Sequence, residues 1–302
     1  MEARTEPAAP PPAAEPASPG SASRPWTQRG PFGKLRRRST VADVALSTVE
    51  GYQRHRSAQS AALLSFYGFL SVFPLTLAAT TILGFVLHGR PALQHDIVDS
   101  ALANLPIVGQ QIATDPSRLH GNVAALVLSL LTTLWAATRG FVGLQTALDD
   151  IAEIPRERRA STTVVRLRAL AGIAVVGVSQ IGAAIVTSIL GIADIPAISR
   201  VLLFLAAAAI DIAVLVAVYS RLCSRCDRWQ GVVPGAIFGG VTFAVLQLVG
   251  TAVVGRAIAK ASPVYGTFAT VIALCSWLSL HATVTLLGAE LDAVLAKRTR
   301  QG

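Results

Sequence analysis

Charge is what this sequence has least of. Of its 302 residues only 14% are Asp, Glu, Lys or Arg, against about 25% in an ordinary soluble domain. With 52% of the residues hydrophobic and a mean hydropathy of +0.55, the deficit argues against a water-facing surface. Lysine is scarce too: Lys34, Lys260 and Lys297 are the only three among 26 basic residues. With much Ala, Arg, Gly and Pro, that bias leads us to expect a GC-rich bacterial genome. The equipment of soluble enzymes is missing. There is no P-loop, no G-x-S-x-G, no H-E-x-x-H and, on the side expected to face the cytosol, no paired carboxylates with a His. The loops are too short to fold a catalytic domain, so no catalytic residue, metal or cofactor is expected, and the chain is read as a non-enzyme.

Cysteine is limited to Cys223, Cys226 and Cys275. The first two form a C-x-x-C, a spacing used in redox chemistry and in half of a zinc site. Neither a second pair nor a nearby His completes it, so two plain reduced thiols are the simpler reading. His95 and Asp99, four apart, supply two ligands at most, and a solvated polar face accounts for them as well.

What the sequence does have is long apolar runs. A run of 18 or more residues, almost free of charge, reads as a membrane helix, because about 20 residues cross a ~30 Å hydrocarbon core. Six are present, at about 61–88, 122–148, 169–193, 201–219, 232–255 and 264–289. Arg139 interrupts the second and Asp211 the fourth. Apart from Arg139, twenty basic residues fall on one side of these runs and five on the other. The side rich in Arg and Lys faces the cytoplasm. The expected architecture is therefore all-α, six-span, with both termini cytoplasmic, in a bacterial plasma (inner) membrane. The same asymmetry accounts for most of the pI of about 10.3, so nucleic acid is not expected as a partner.

Residues 1–39 are rich in Pro, Ala and Ser and are expected to form a disordered cytoplasmic tail. The tail ends in Lys34, Arg36, Arg37 and Arg38, which serve either as a contact for anionic lipid headgroups or as a plain topology signal. Thr40 to Arg56 then reads as an amphipathic interfacial helix, with Val41, Val44, Ala45, Thr48, Val49 and Tyr52 at helical spacing. Thr40 with Asp43 fits a capping box. The membrane domain is placed at 40–297, and 298–302 is a short cytoplasmic tail.

Two features inside the runs bear on function. Pro74 removes a hydrogen bond to the Leu70 carbonyl and is expected to kink the first span, with Tyr67 and Ser71 beside the freed group. Transporters often place binding sites at such mid-membrane breaks, although packing kinks are commoner. Asp211 lies ten residues into its run, ~15 Å deep, near the midplane. Insertion there costs about 2.5–3.5 kcal/mol. Pairing with Arg139, protonation with a hydrogen bond to a neighbouring helix, or a position on a polar pathway would each offset that cost. Arg139 lies ~10 Å nearer the cytoplasm by helical rise, which strains the first option. His281 extends a proton route or simply packs. Gly235 and Gly239 form a G-x-x-x-G that lets a second helix approach closely.

The stretch AALLSFY continuing to SVFPL (61–75), then LWAATRGF (134–141) running into ALDDIAEIPRERR, VVPGA (232–236), and VYGTFATVIALCSWLSL with LLGAEL (264–291) occur in that order. Together they resemble the YihY/virulence factor BrkB family. One departure is Phe238-Gly239-Gly240, where members commonly carry a Trp. The resemblance implies a six-span inner-membrane protein of poorly defined activity, linked to envelope phenotypes and once labelled ribonuclease BN. The expected function is a transporter or flippase-like protein for an envelope lipid or small molecule, with Asp211, Tyr67, Ser71 and Pro74 on the pathway. The rivals are a non-transporting scaffold for envelope machinery and, more weakly, a membrane-associated ribonuclease. Membrane lipid is the expected partner, and a homo-oligomer is compatible with the sequence.

Overall fold

The computed structural model describes residues 39–86, 123–191, 197–222, 231–247 and 267–299. The basic tail with Lys34, Arg36, Arg37 and Arg38, the loop carrying His95 and Asp99, and the C-x-x-C lie outside these residues. Every regular element described is a helix. They are α1 (Thr40–Arg54), α2 (Ser57–Val86), α3 (Val123–Ile151), α4 (Thr162–Gly191), α5 (Ala197–Leu222), α6 (Val233–Gln247) and α7 (Thr267–Thr299), with a 3-10 turn at Arg156–Arg158 between α3 and α4.

Four helices hold stretches long and apolar enough to cross a membrane: Ser57–Ala78, Leu126–Ile151, Leu205–Leu222 and Val271–Thr299. Helix is what such a sequence must adopt in hydrocarbon, where no water satisfies a free N–H or C=O. The outward faces fit that solvent. Phe66, Leu128, Leu131, Leu202, Leu205 and Phe268 are each more than half exposed, an apolar surface water would not tolerate. Of the other two expected spans, α4 is a 30-residue helix and α6 is described over 15 residues as an apolar helix.

α2 packs mainly on α3 and α7, and α5 mainly on α4, with α3 bridging the two groups. The packed core lies toward the end where α1 sits. There Leu144, Leu148 and Ile151 of α3 meet Leu215, Tyr219 and Leu222 of α5, Ala236 of α6 and Leu286 of α7. α1 is held against the last turns of α7 and the start of α2, burying Thr48 and Gly51 while Val41 stays 78% exposed. Its start differs from expectation by one position. Ser39, in extended backbone, caps the helix by accepting from the Ala42 N–H at 3.5 Å, so Thr40 is the first helical residue. The helix stops at Arg54 because Arg56 turns into the left-handed region at φ 54°.

The glycines of the fifth run permit the tightest crossing. A Cβ on Gly235 would stand 2.1 Å from the Gly288 carbonyl oxygen, and one on Gly288 would stand 2.7 Å from the Gly235 carbonyl oxygen. α6 and α7 thus touch backbone to backbone at a glycine pair. Gly239 extends the contact toward Leu215 of α5. A Gly235→Ala substitution is expected to destabilise the protein by at least about 1–3 kcal/mol. Gly177→Ala, whose added methyl meets nothing within 4 Å, should be neutral or slightly stabilising. Thermal unfolding of both variants in detergent checks the contrast.

Candidate functional site

Among the described residues, two that are not glycine adopt positive φ, Arg56 at 54° and Glu153 at 52°, a conformation costing about 1–2 kcal/mol for an L-residue. Both end helices at the α1 end of the bundle. After α3, the Glu153 N–H donates to Asp150 O and the Ile154 N–H to Asp149 O, at 3.0 and 2.9 Å. That is the Schellman pattern, with glutamate where glycine is usual. Strain of this kind clusters at functional sites. Here it brings His55 and Glu153 together.

Glu290 of α7 is the centre of the cluster, 1% exposed. His55 Nδ1 donates to its Oε1 at 2.8 Å and Ser57 Oγ donates to the same oxygen at 3.1 Å. Gly51 of α1 lies so close that a Cβ there would come within 2.5 Å of Oε2. Two residues on, Asp292 points to the other side of α7, as the helical turn of ~100° per residue requires. Its Oδ1 accepts from the Gly235 N–H, at the N-terminus of α6, at 2.6 Å, while its Oδ2 is buried without a hydrogen-bond partner among the described residues. Tyr219 Oη of α5 donates to Thr285 O of α7 at 2.6 Å. α7 therefore holds α1 and α2 through Glu290, α6 through Asp292 and α5 through Thr285. Gln145 of α3, 1% exposed, is buried with neither amide atom hydrogen-bonded among the described residues.

An outer shell of charge covers this end. Glu153 Oε1 is 3.0 Å from Lys297 Nζ, 3.2 Å from Arg54 and 3.5 Å from His55 Nε2. Arg298 pairs with Asp43, and Arg159 with Asp150 at 2.5 Å. The hydrogen bond from Lys297 is the main cause that holds the Glu153 carboxyl below its ordinary 4.5. Desolvation opposes this, and His55 and Arg54 add to the lowering.

The mid-span residues lie elsewhere. Asp211 on α5 is half-buried, and its Oδ2 is buried with no hydrogen-bond partner among the described residues. Arg139 is exposed and sits over the Trp135 ring of its own helix, 5.9 Å from the centroid, and no described ion pair joins it to Asp211. The Tyr67 ring meets Trp135 edge to face at 6.5 Å. α2 continues through Pro74 without a break, and Ser71 Oγ donates to Gly68 O at 2.7 Å rather than to the carbonyl opposite the proline. His281 bonds to Trp277 O and stacks on Phe243. Tyr67, Ser71 and Pro74 thus share α2, whereas Asp211 belongs to the α5 group.

No sequence motif joins His55 to Glu290, which are 235 residues apart. A local signal did exist. Glu290 and Asp292 sit within LLGAELDAVLA (286–296), where apolar residues continue beyond both acids. A helix merely leaving the membrane would turn polar there. Among the described residues, no three His, Cys, Asp or Glu side chains are gathered to hold a metal.

Glu290→Ala leaves His55 and Ser57 buried without their acceptor and is expected to cost about 3–5 kcal/mol, read as thermal stability in detergent. Because the folded-state Glu153 carboxyl titrates low, its tie is fully present above the ordinary carboxylate range and is lost as pH falls through the folded value. Half-exposed, it contributes little. Limited proteolysis at the α1–α2 turn should therefore rise only below pH 4.5, and Glu153→Gln should remove that pH dependence.

Among known proteins, the putative ribonuclease-like protein YfkH of Bacillus subtilis (strain 168) is 23% identical over 273 residues, covering 82% of this chain and 94% of that protein. No solved structure matches. The sequence profile named for virulence factor BrkB matches residues 48–302, which takes in every helix but the start of α1. With its apolar spans, the chain is an integral membrane protein that belongs to the virulence factor BrkB family.

Proposed function

We propose that the chain is a six-span carrier or flippase-like protein of the bacterial plasma membrane, moving an envelope lipid or small molecule, with Asp211 as the group that binds substrate or a coupling ion. α4 and α6 complete the six spans, α1 lies along the cytoplasmic interface, and the Arg-rich side places both termini inside. The observation that carries this reading is the orphaned carboxylate oxygen of Asp211. Among the described residues that oxygen has no hydrogen-bond partner, and an Asp at mid-depth costs about 2.5–3.5 kcal/mol, which supports a functional role for it. The name of the Bacillus relative points to RNA cleavage. Against that reading, the His55–Glu290 pair is sealed, since Glu290 is 1% exposed and out of reach of a phosphodiester.

Asp211→Leu is accordingly expected to raise stability, by about 2 kcal/mol, and to abolish rescue of envelope sensitivity in a strain lacking the gene. Asp211→Asn should insert and fold normally and also fail to rescue. Full rescue by Asp211→Asn would favour the scaffold reading, in which the loops and basic tail do the work.

A further inference from the structure

A second polar feature faces the bilayer. Between α2 and α7 lies a groove of ≈600 Å³, within the range typical of ligand sites. Its lining includes Ser65, Ser276, Ser279 and Thr283 beside Phe66 and Cys275, and no charged side chain. Phe66 is 58% exposed and Leu280 44%, so the groove opens sideways, into lipid. Ser65 is eight residues along α2 from Ser57 and Ser276 is fourteen before Glu290, ~12 Å and ~21 Å from the α1 end by helical rise. The groove therefore crosses the middle of the span.

Two of its hydroxyls depart from the pattern common in these helices. Thr76, Thr81, Ser129, Thr133, Thr138 and Thr146 each donate to a carbonyl three or four residues earlier. That is the standard way to satisfy a hydroxyl in hydrocarbon. At the groove floor Ser65 Oγ is taken by Cys275 O at 3.1 Å, and Thr283 turns back to Ser279 O. Ser276 and Ser279, on the rim, donate to no described group. An unsatisfied hydroxyl in an apolar medium costs at least about 1–3 kcal/mol. Two at i and i+3 on one helix face set a pair of donors beside an apolar trough.

We infer that this groove holds the uncharged polar head of a membrane lipid, one bearing hydroxyl or ester oxygens, that enters sideways from the bilayer. The inference rests on the carrier reading above and gives its substrate a class. With no Lys or Arg in the lining, a phosphate charge would go uncompensated, whereas ester and hydroxyl oxygens match two serine donors. The aromatic and aliphatic wall takes the tail.

The test uses the full chain in phosphatidylcholine vesicles containing a photoreactive diacylglycerol, with adducts mapped to peptides. Labelling is expected at 62–69 and 275–283. Filling the groove with Ser276→Leu and Ser279→Leu should reduce it about tenfold, equivalent to ~1.4 kcal/mol, in protein whose melting is unchanged. Ser276→Ala with Ser279→Ala leaves the space open and should also reduce labelling. Retained labelling in the alanine variant overturns the assignment to a polar head. Equal labelling of the outer face of α3 at Leu128 and Leu131 means ordinary annular lipid and overturns the site. Stronger labelling by a photoreactive phosphatidylglycerol overturns the neutral class. A Cys275–Cys275 crosslink in place of adducts makes the groove a contact with a second copy and overturns it as well. Asp211→Asn should leave labelling unchanged, so groove and carrier readings fail separately: full rescue with labelling intact refutes only the carrier, and lost labelling specificity with rescue abolished refutes only the groove.

Discussion

Hydrocarbon offers no hydrogen bonds, and this structure is organised by how it meets that constraint. Backbone groups are satisfied by running as helices of up to 33 residues. Most described hydroxyls turn back on their own helix. The carboxylates near the α1 end are satisfied by bringing other helices to them. Glu290 draws in α1 and α2, and Asp292 caps the start of α6. What remains unsatisfied is then informative, because the protein had the means to satisfy it.

The energetic weight lies in the inner contacts. The pairs from Glu153 to Lys297 and Arg54 are about half exposed and worth about 0–1 kcal/mol each. Glu290, sealed under Gly51, is the group whose loss would strand a donor pair inside the protein. The glycine crossing of α6 on α7 works with it. Only with hydrogen at Gly235 and Gly288 does α6 come near enough for its N-terminus to meet Asp292. α1 is thus tied into the bundle as an integral part of the α7 end, by hydrogen bonds and ion pairs as well as by its apolar stripe. Two strained residues, Arg56 and Glu153, make the turns that allow it.

The spans were legible because a charge-free run of twenty residues has few alternatives, and α2, α3, α5 and α7 fall where the runs predict. The close-packing role of Gly235 and Gly239 was legible from their spacing. Orphaned Asp211 was legible too, as a charge in a place that charges avoid. The polar cluster at the α1 end was not. Its members come from residues 55, 57, 153 and 290; apart from Glu290, which apolar residues flank on both sides, each is an ordinary flanking polar residue in its own segment, and only the packing of α1 against α7 unites them. The pairing of Arg139 with Asp211 was one local reading, and the fold turns Arg139 onto Trp135 instead, while Pro74 sits inside the continuous helix α2. Nothing in the sequence singles out Ser276 and Ser279, and only the groove beside them gives their hydroxyls meaning.

In the proposed carrier, water or substrate reaches mid-membrane at Asp211. The direct measurement replaces Cys223, Cys226 and Cys275, places one cysteine at position 211, and applies a membrane-impermeant maleimide from each side of sealed vesicles. Labelling from at least one side is the predicted result, since a pathway residue must meet solvent in some state. Protection from both sides in correctly inserted protein would contradict the account, and Asp211 would then be a dry contact between helices.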